Sequence, residues 1–174
     1  MPDLDEPVHL VEHRSEWASE FAAEQLRLAK SLSFDLACIQ HIGSTSVPGL
    51  VAKPIIDIMV GVPAYPPSAV VRQTLMRLGY EALGEAGIPG RAHFRMRGDR
   101  SINIAVVALD ADHWVRNLAL REHLRKSRVA RESYTRAKRE ALAAGAITLL
   151  AYSEAKSRVV AQLLSEAGVS ENDG

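Results

Sequence analysis

Six consecutive residues, Ile55-Ile56-Asp57-Ile58-Met59-Val60, constrain this chain more than any other stretch. They form a nearly continuous apolar run of strand length, which predicts a central strand covered on both faces. One polar residue interrupts the run. An ionised carboxylate at Asp57 is costly inside such a strand unless it is paired, hydrogen-bonded or bound to a metal ion.

The flanking pattern supplies the covering layers. Trp17, Phe21, Leu28 and Leu32 recur at near-helical spacing after Ser15, which is placed to cap the first turn. Phe34 to Ile42 reads as a strand and is followed by the turn-rich Gly43-Ser44-Thr45-Ser46-Val47-Pro48-Gly49. Pro66-Pro67-Ser68 opens a second helix, which Gly79 ends, and Tyr80 to Leu83 suits a short strand. Gly98-Asp99 links a hairpin between Ala92–Arg97 and Ser101–Leu109. From Asp112 the apolar spacing predicts three helices, the last over 149–164. The expected fold is α/β (α+β): a mixed β-sheet flanked by helices, with a helical C-terminal third.

At 174 residues, with no internal repeat or linker, the chain fits a single domain spanning 1–174. Residues 1–6 and 168–174 are expected to be flexible. A formal net charge of +0 removes the simplest argument for wholesale nucleic-acid binding. No apolar run approaches the roughly twenty residues needed to cross a bilayer. The acidic N-terminus is unlike a signal peptide, and the single cysteine, Cys38, suits a reducing compartment and a packing role. A cytoplasmic location is expected; the oligomeric state stays open.

Three clusters carry candidate chemistry. In the turn, Gly43 lets the backbone approach a ligand, and Ser44, Thr45 and Ser46 offer hydroxyls and N–H groups that can wrap phosphate oxygens. The simpler alternative is a tight connection whose hydroxyls satisfy its own backbone. Asp57, beside that turn, can hold Mg²⁺ next to a bound phosphate, or it can be a structural partner of an arginine or Lys53. Strand alternation sends Arg91, Arg95 and Arg97 to one face, either as an anion-binding surface or as solvated hairpin charge. The basic run from Arg121 to Arg131 reads as a wet helix face. His41 and His93 can each serve as a metal ligand, but single histidines without a second ligand at telling spacing usually do not.

His41-Ile42-Gly43-Ser44-Thr45-Ser46-Val47-Pro48-Gly49-Leu50-Val51-Ala52-Lys53-Pro54-Ile55-Ile56-Asp57-Ile58 resembles the hallmark of the GrpB family almost without change. Gly87-Ile88-Pro89-Gly90-Arg91 with Phe94-Arg95 resembles a second block of that family. Leu120-Arg121-Glu122-His123-Leu124-Arg125, then Tyr134 and Lys138, resembles a third. The resemblance implies a sheet of nucleotidyltransferase type. In that superfamily a Gly-Ser turn holds the terminal phosphates of a nucleotide, and alternate acidic residues on a strand hold two Mg²⁺. An acceptor then attacks the α-phosphate in line and pyrophosphate leaves.

Carried over by position, the resemblance implies that Gly43 and Ser44 are the turn and Asp57 the second acidic residue. The place of the first acidic residue holds Ile55, and a block that reads His-x-His in many members is Asn103-Ile104-Ala105. The catalytic candidates are therefore Asp57 and Ser44, with Asp57 as the Mg²⁺ ligand. The ligand-binding candidates are His41, Gly43, Ser44 and Thr45 around the turn, with Lys53, Arg91, Arg95 and Asn103 beyond it. The expected ligand is a nucleotide or other phosphorylated small molecule. The rival expectation is a non-catalytic accessory or binding domain with an incomplete metal site, since GrpB-like domains also occur fused to dephospho-coenzyme A kinase.

Overall fold

A computed structural model describes residues 5–169. In chain order the elements are α1 (Glu16–Leu32), β1 (Ile39–Ile42), β2 (Ile56–Val62), α2 (Ala69–Arg77), β3 (Glu81–Ala82), β4 (Ala92–Met96) and β5 (Ile102–Ala108). Three helices follow: α3 (Asp112–Lys126), α4 (Arg128–Ala143) and α5 (Leu149–Glu166). The strands form one sheet in the order β1-β2-β5-β4-β3. β2 and β5 run parallel, and the other neighbours are antiparallel. This is the mixed, helix-flanked α/β sheet that the pattern predicts.

Period-two alternation decides what each face buries. Ile56, Ile58, Val60 and Val62 of β2 join Ile102, Ile104 and Val106 of β5 against Trp17 and Leu28 of α1 and Leu75 of α2. On the opposite face Met59 and Val107 pack with Ile42 and with Trp114 of α3. Both faces of β2 are thus covered, as its apolar run demands. A third cluster joins Val47 and Leu50, after the Gly-Ser turn, to Leu124, Ala130, Tyr134 and Leu163. The helical third is therefore seated directly on the segment that carries the turn.

Two local expectations are corrected. Ser15 precedes α1 in helical geometry and makes no side-chain cap; its hydroxyl lies by the Glu16 carboxylate instead. The strand expected over 34–42 begins only at Ile39, because Asp35 starts a 3-10 turn whose carbonyl accepts from the Cys38 N–H at 3.0 Å, with Leu36 exposed. Ser68 does cap α2, accepting from the Val71 N–H at 3.3 Å. The Gly98-Asp99 link joins the antiparallel pair β4–β5.

Of the ends expected to be flexible, residues 1–4 and 170–174 lie outside the described residues. Glu6 is tied down, its carbonyl accepting from the Leu149 N–H at 2.9 Å. Among the described residues no helix is long and apolar enough to cross a membrane.

Candidate functional site

Sheet register lines up a polar row. Asp57 of β2 is opposite Asn103 of β5, Asn103 is opposite Arg95 of β4, and Arg95 is opposite Glu81 of β3. These residues occupy the face on which Met59 and Val107 meet α3, farther along the strands than that helix covers. There a cleft of about 460 Å³ opens, walled by the 83–88 loop and by Leu149, Leu150 and Ser153 of α5. Asp57, Asn103, Lys53, Arg91, Arg95 and Arg97 all line it.

Asp57 is held by a neutral partner. The Asn103 side-chain amide donates to its Oδ1 at 2.9 Å, and Arg97 in turn donates to the Asn103 Oδ1 at 3.0 Å. No lysine or arginine forms an ion pair with Asp57 among the described residues. Gly43 makes this arrangement possible. Its φ is +70°, and a β-carbon there would lie 2.6 Å from the Asp57 Oδ2. Only glycine fits the turn on both counts.

The arginines differ in their engagement. Arg95 pairs with Glu6 at 3.0 Å and Glu81 at 2.8 Å, and Arg97 pairs with Glu6 at 2.8 Å. Burial raises the Glu6 pKa, but the Arg97 hydrogen bond and the charges of Arg97, Arg95 and Lys53 outweigh it and hold the carboxyl below its usual range. Arg91 has only long contacts to the carbonyls of Glu85 (3.4 Å) and Ala86 (3.5 Å), and its buried Nε has no partner. Burial lowers its pKa while Asp57 pulls the other way. His93 is pushed down to about 4, by burial first and by Arg91 second, so its imidazole is neutral near pH 7.

A second, smaller cavity of about 100 Å³ lies on the other side of the turn, and Gly43, Lys53 and Asp57 line both. Its remaining walls are Ser44, Thr45 and Ile55 with Tyr134, Lys138, Tyr152 and Lys156 from α4 and α5. Lys138 is 1% exposed; its Nζ donates to the Ser44 Oγ and, at 2.7 Å, to the Val51 carbonyl. The Lys156 Nζ lies 4.2 Å from the centre of the Tyr152 ring and 5.4 Å from that of Tyr134. Burial, reinforced by Lys156 and Lys53, lowers the Lys138 pKa to about 6; burial lowers Lys156 to about 8, and Lys53 is lowered too. Asp57 opposes all three shifts.

Sequence reasoning points to the cleft and misses half of the second cavity. Gly43, Lys53, Asp57, Arg91, Arg95 and Asn103 come together as cleft lining, whereas Ser44 and Thr45 face only the smaller cavity. His41 lines neither. It is 7% exposed, its Nε2 shares a 2.9 Å hydrogen bond with the Thr45 Oγ1, and its ring stacks on Phe21 at 4.7 Å. Burial lowers its pKa to about 4, so it packs as a neutral ring. Glu6, Lys138, Tyr152 and Lys156 are additions from the structure. The pairs Tyr134/Lys138 and Tyr152/Lys156 carry a readable signal: each is Tyr-x-x-x-Lys, which stacks both side chains on one helix face. A larger groove of about 650 Å³ along α4 mixes Arg131, Arg136 and Arg139 with Glu12, Glu132 and Glu140 and shares no residue with the cleft.

The residues at Asp57 do not fit a protein-built Mg²⁺ cage. Mg²⁺ demands several oxygen ligands in near-octahedral geometry. Here one oxygen of Asp57 takes the Asn103 amide, the charges that feel the carboxylate are those of lysines and arginines, and Ile55 occupies the alternate strand position. Among the described residues no group of three or more His, Cys, Asp or Glu side chains is placed to hold a metal ion.

Fold and site together define a mixed α/β protein with a basic cleft built around one acidic strand residue and a glycine turn. Residues 7–166 match the family described as GrpB protein, and the chain belongs to that family. It is 33% identical over 161 residues to the UPF0157 protein SCO7215 of Streptomyces coelicolor, covering 92% of this chain and 84% of that one. It is 27% identical over 165 residues to the glutamate-rich protein GrpB of Alkalihalophilus pseudofirmus, covering 91% and 95%. The crystal structure of the conserved protein GrpB from Enterococcus faecalis superposes with a TM-score of 0.80 at 29% identity, over 91% of this chain and 96% of that one.

Proposed function

We propose that the cleft binds a phosphorylated small molecule of about nucleotide size, in the cytoplasm where such metabolites are held. The observation that carries this reading is the imbalance of charge in the cleft. Among the described residues, Lys53, Arg91, Arg95 and Arg97 line it with the carboxylates of Glu6 and Asp57, Glu81 pairs with Arg95 from outside, and Arg91 reaches the cleft with no carboxylate partner. A half-buried guanidinium without a counter-ion is costly in isolation, and a phosphate supplies the bidentate partner it lacks. The cleft volume lies within the range of small-molecule sites.

Binding is favoured over nucleotidyl transfer because, among the described residues, Asp57 is the one carboxylate shared by the two cavities, and its Oδ1 is already committed to Asn103. A thermal-shift series with the four nucleoside triphosphates, with and without Mg²⁺, tests the reading. Nucleotide at a hundred times its Kd should add about 2.7 kcal/mol to folding stability. Arg91→Ala should abolish most of that gain. Absence of any shift with millimolar nucleotide or sugar phosphate overturns the proposal, and pyrophosphate release in the presence of Mg²⁺ would establish transfer instead.

A further inference from the structure

One carboxylate in the cleft is delivered from the far end of the chain. Glu6 takes the two-pronged edge of Arg97, whose Nε donates to its Oε1 at 3.0 Å and whose Nη2 donates to its Oε2 at 2.8 Å. Arg95 adds a third hydrogen bond, from Nη1 to the same Oε1 at 3.0 Å. A guanidinium grips a carboxylate or a phosphate in this fork geometry, so Glu6 stands where an anionic group of a ligand would stand. Among the described residues Glu6 is the one carboxylate paired with Arg97, whereas Arg95 also has Glu81. Without Glu6, Arg97 keeps only the carbonyls of Met96 and Ile102 and the Asn103 side chain as partners.

The segment that delivers Glu6 is lightly held. It forms no helix or strand, and none of residues 5–10 is buried. Its ties run to the start of α5. The Leu149 N–H donates to the Glu6 carbonyl at 2.9 Å, the Val8 N–H to the Ile147 carbonyl at 2.7 Å, and the Leu150 N–H to the Asp5 Oδ1 at 3.0 Å. Glu6 and Arg97 are both partly exposed, and ion pairs of that kind hold weakly. The next tie along the chain, between Val11 and Ala52, involves no residue of the cleft lining. Residues 5–8 can therefore swing away without disturbing the core.

We infer that residues 5–8 are an autoinhibitory strap: Glu6 occupies the anion position of Arg95 and Arg97, and a phosphorylated ligand enters the cleft fully only by displacing it. The inference rests on the reading of the cleft as an anion site and adds how that site is regulated. It also sets a threshold for the ligand. A phosphoryl group carries more negative charge than the single carboxylate it replaces, so the exchange favours it. A monocarboxylate offers no more charge than Glu6 and gains nothing by the exchange. Displacement reaches α5 as well, because Leu149 and Leu150, whose N–H groups hold the strap, also line the cleft.

The test is calorimetry with metal-free ATP on the full chain at low salt, together with amide hydrogen exchange. Glu6→Gln should bind ATP about tenfold more tightly than wild type, the scale of one charge-assisted hydrogen bond no longer in competition. Glu6→Asp keeps the charge on a stem one methylene shorter and should fall between the two; it serves also if the glutamine variant folds poorly. In wild type, ATP should speed exchange at the Val8, Leu149 and Leu150 amides, whereas a ligand that merely rigidified the protein would slow it. Glu6→Gln should speed exchange at the same amides with no ligand present. ATP binding that Arg91→Ala abolishes but that Glu6→Gln leaves unchanged or weaker sinks the strap and leaves the cleft standing. Exchange at the three amides that ATP leaves unchanged or slows does the same. No ATP binding at millimolar concentration by wild type or by either Glu6 variant removes the reading of the cleft, and the strap with it.

Discussion

Asn103 donates its side-chain amide to the carboxylate of Asp57 at 2.9 Å, across the parallel pair β2–β5 and between residues in direct register. A neutral donor therefore satisfies the acid inside the apolar strand, and its charge remains available to the surrounding lysines and Arg91. Asp57→Asn should keep the fold, because the amide oxygen can still accept from Asn103. It should also remove a negative charge common to both cavities. The expected outcome is a lower melting temperature in anion-free buffer, recovery on adding phosphate, and severalfold tighter metal-free phosphate binding than wild type. Weaker binding in calorimetry would instead make the Asp57 carboxylate itself a ligand contact.

Gly43→Ala tests the other side of the same contact. The substitution forces a side chain onto a φ of +70° and brings a β-carbon within 2.6 Å of the Asp57 Oδ2. Backbone strain of this kind costs about 1–3 kcal/mol, before any displacement of Asp57 is counted. Urea denaturation should show a loss of that size together with loss of phosphate binding. A variant as stable as wild type would mean the turn relaxes freely.

The scaffold has its own buried charge. Glu24 on α1 is 1% exposed and accepts from Arg27 at 2.6 Å, from the Tyr80 hydroxyl at 2.6 Å and from Arg100 at 3.3 Å. Burial raises its pKa, but the hydrogen bonds from Arg27 and Tyr80 and the two arginine charges outweigh it, and the net shift is downward. A lowered carboxyl contributes stability above its unfolded pKa and loses it as pH falls through the folded value. Glu24→Gln should cost about 3 kcal/mol at pH 7, at the low end for a broken buried pair because Arg27 and Arg100 are partly exposed. Nucleotide and phosphate affinities of the folded variant should match wild type, since no residue of this network lines either cavity.

What the sequence disclosed and what it hid follow from the range of each signal. The sheet is legible because β2 and β5 carry their apolar residues at the spacing that the sheet faces require. The cleft is legible for the same reason: alternation brings Asp57, Asn103 and Arg95 into one row. Lys138 and Lys156 are harder to find, because a lysine on an amphipathic helix ordinarily faces water. Only the packing of α4 and α5 over the Gly-Ser turn turns these two inward. Glu6 is invisible for a related reason, since its partners Arg95 and Arg97 are 89 and 91 positions away along the chain. His41 misleads because a histidine next to a glycine turn looks like a ligand, whereas its neighbours Phe21 and Thr45 make it a packed ring.

The lysine cavity makes a prediction about pH whose sign is fixed. Lys138 has a folded pKa of about 6, against about 10.4 for an exposed lysine in the unfolded chain. Between those values the unfolded chain binds more protons than the native one, so stability rises with pH across the window. Lys156, lowered to about 8, and Lys53, also lowered, act in the same direction over the upper part of the range. His41 and His93, both near 4 when folded, contribute the same sign only in a lower window, up to about pH 6.5. The phosphate-free protein should therefore melt at higher temperature at pH 8.5 than at pH 7, in a region where neither histidine titrates. Lys138→Met removes the largest contributor and should flatten that dependence, even though it leaves the Val51 carbonyl without its donor and lowers stability at every pH. Melting curves at the two pH values, for wild type and variant, decide the matter. A wild-type protein that loses stability on going from pH 7 to 8.5 would show that the three lysines keep their protons when the cavity is empty.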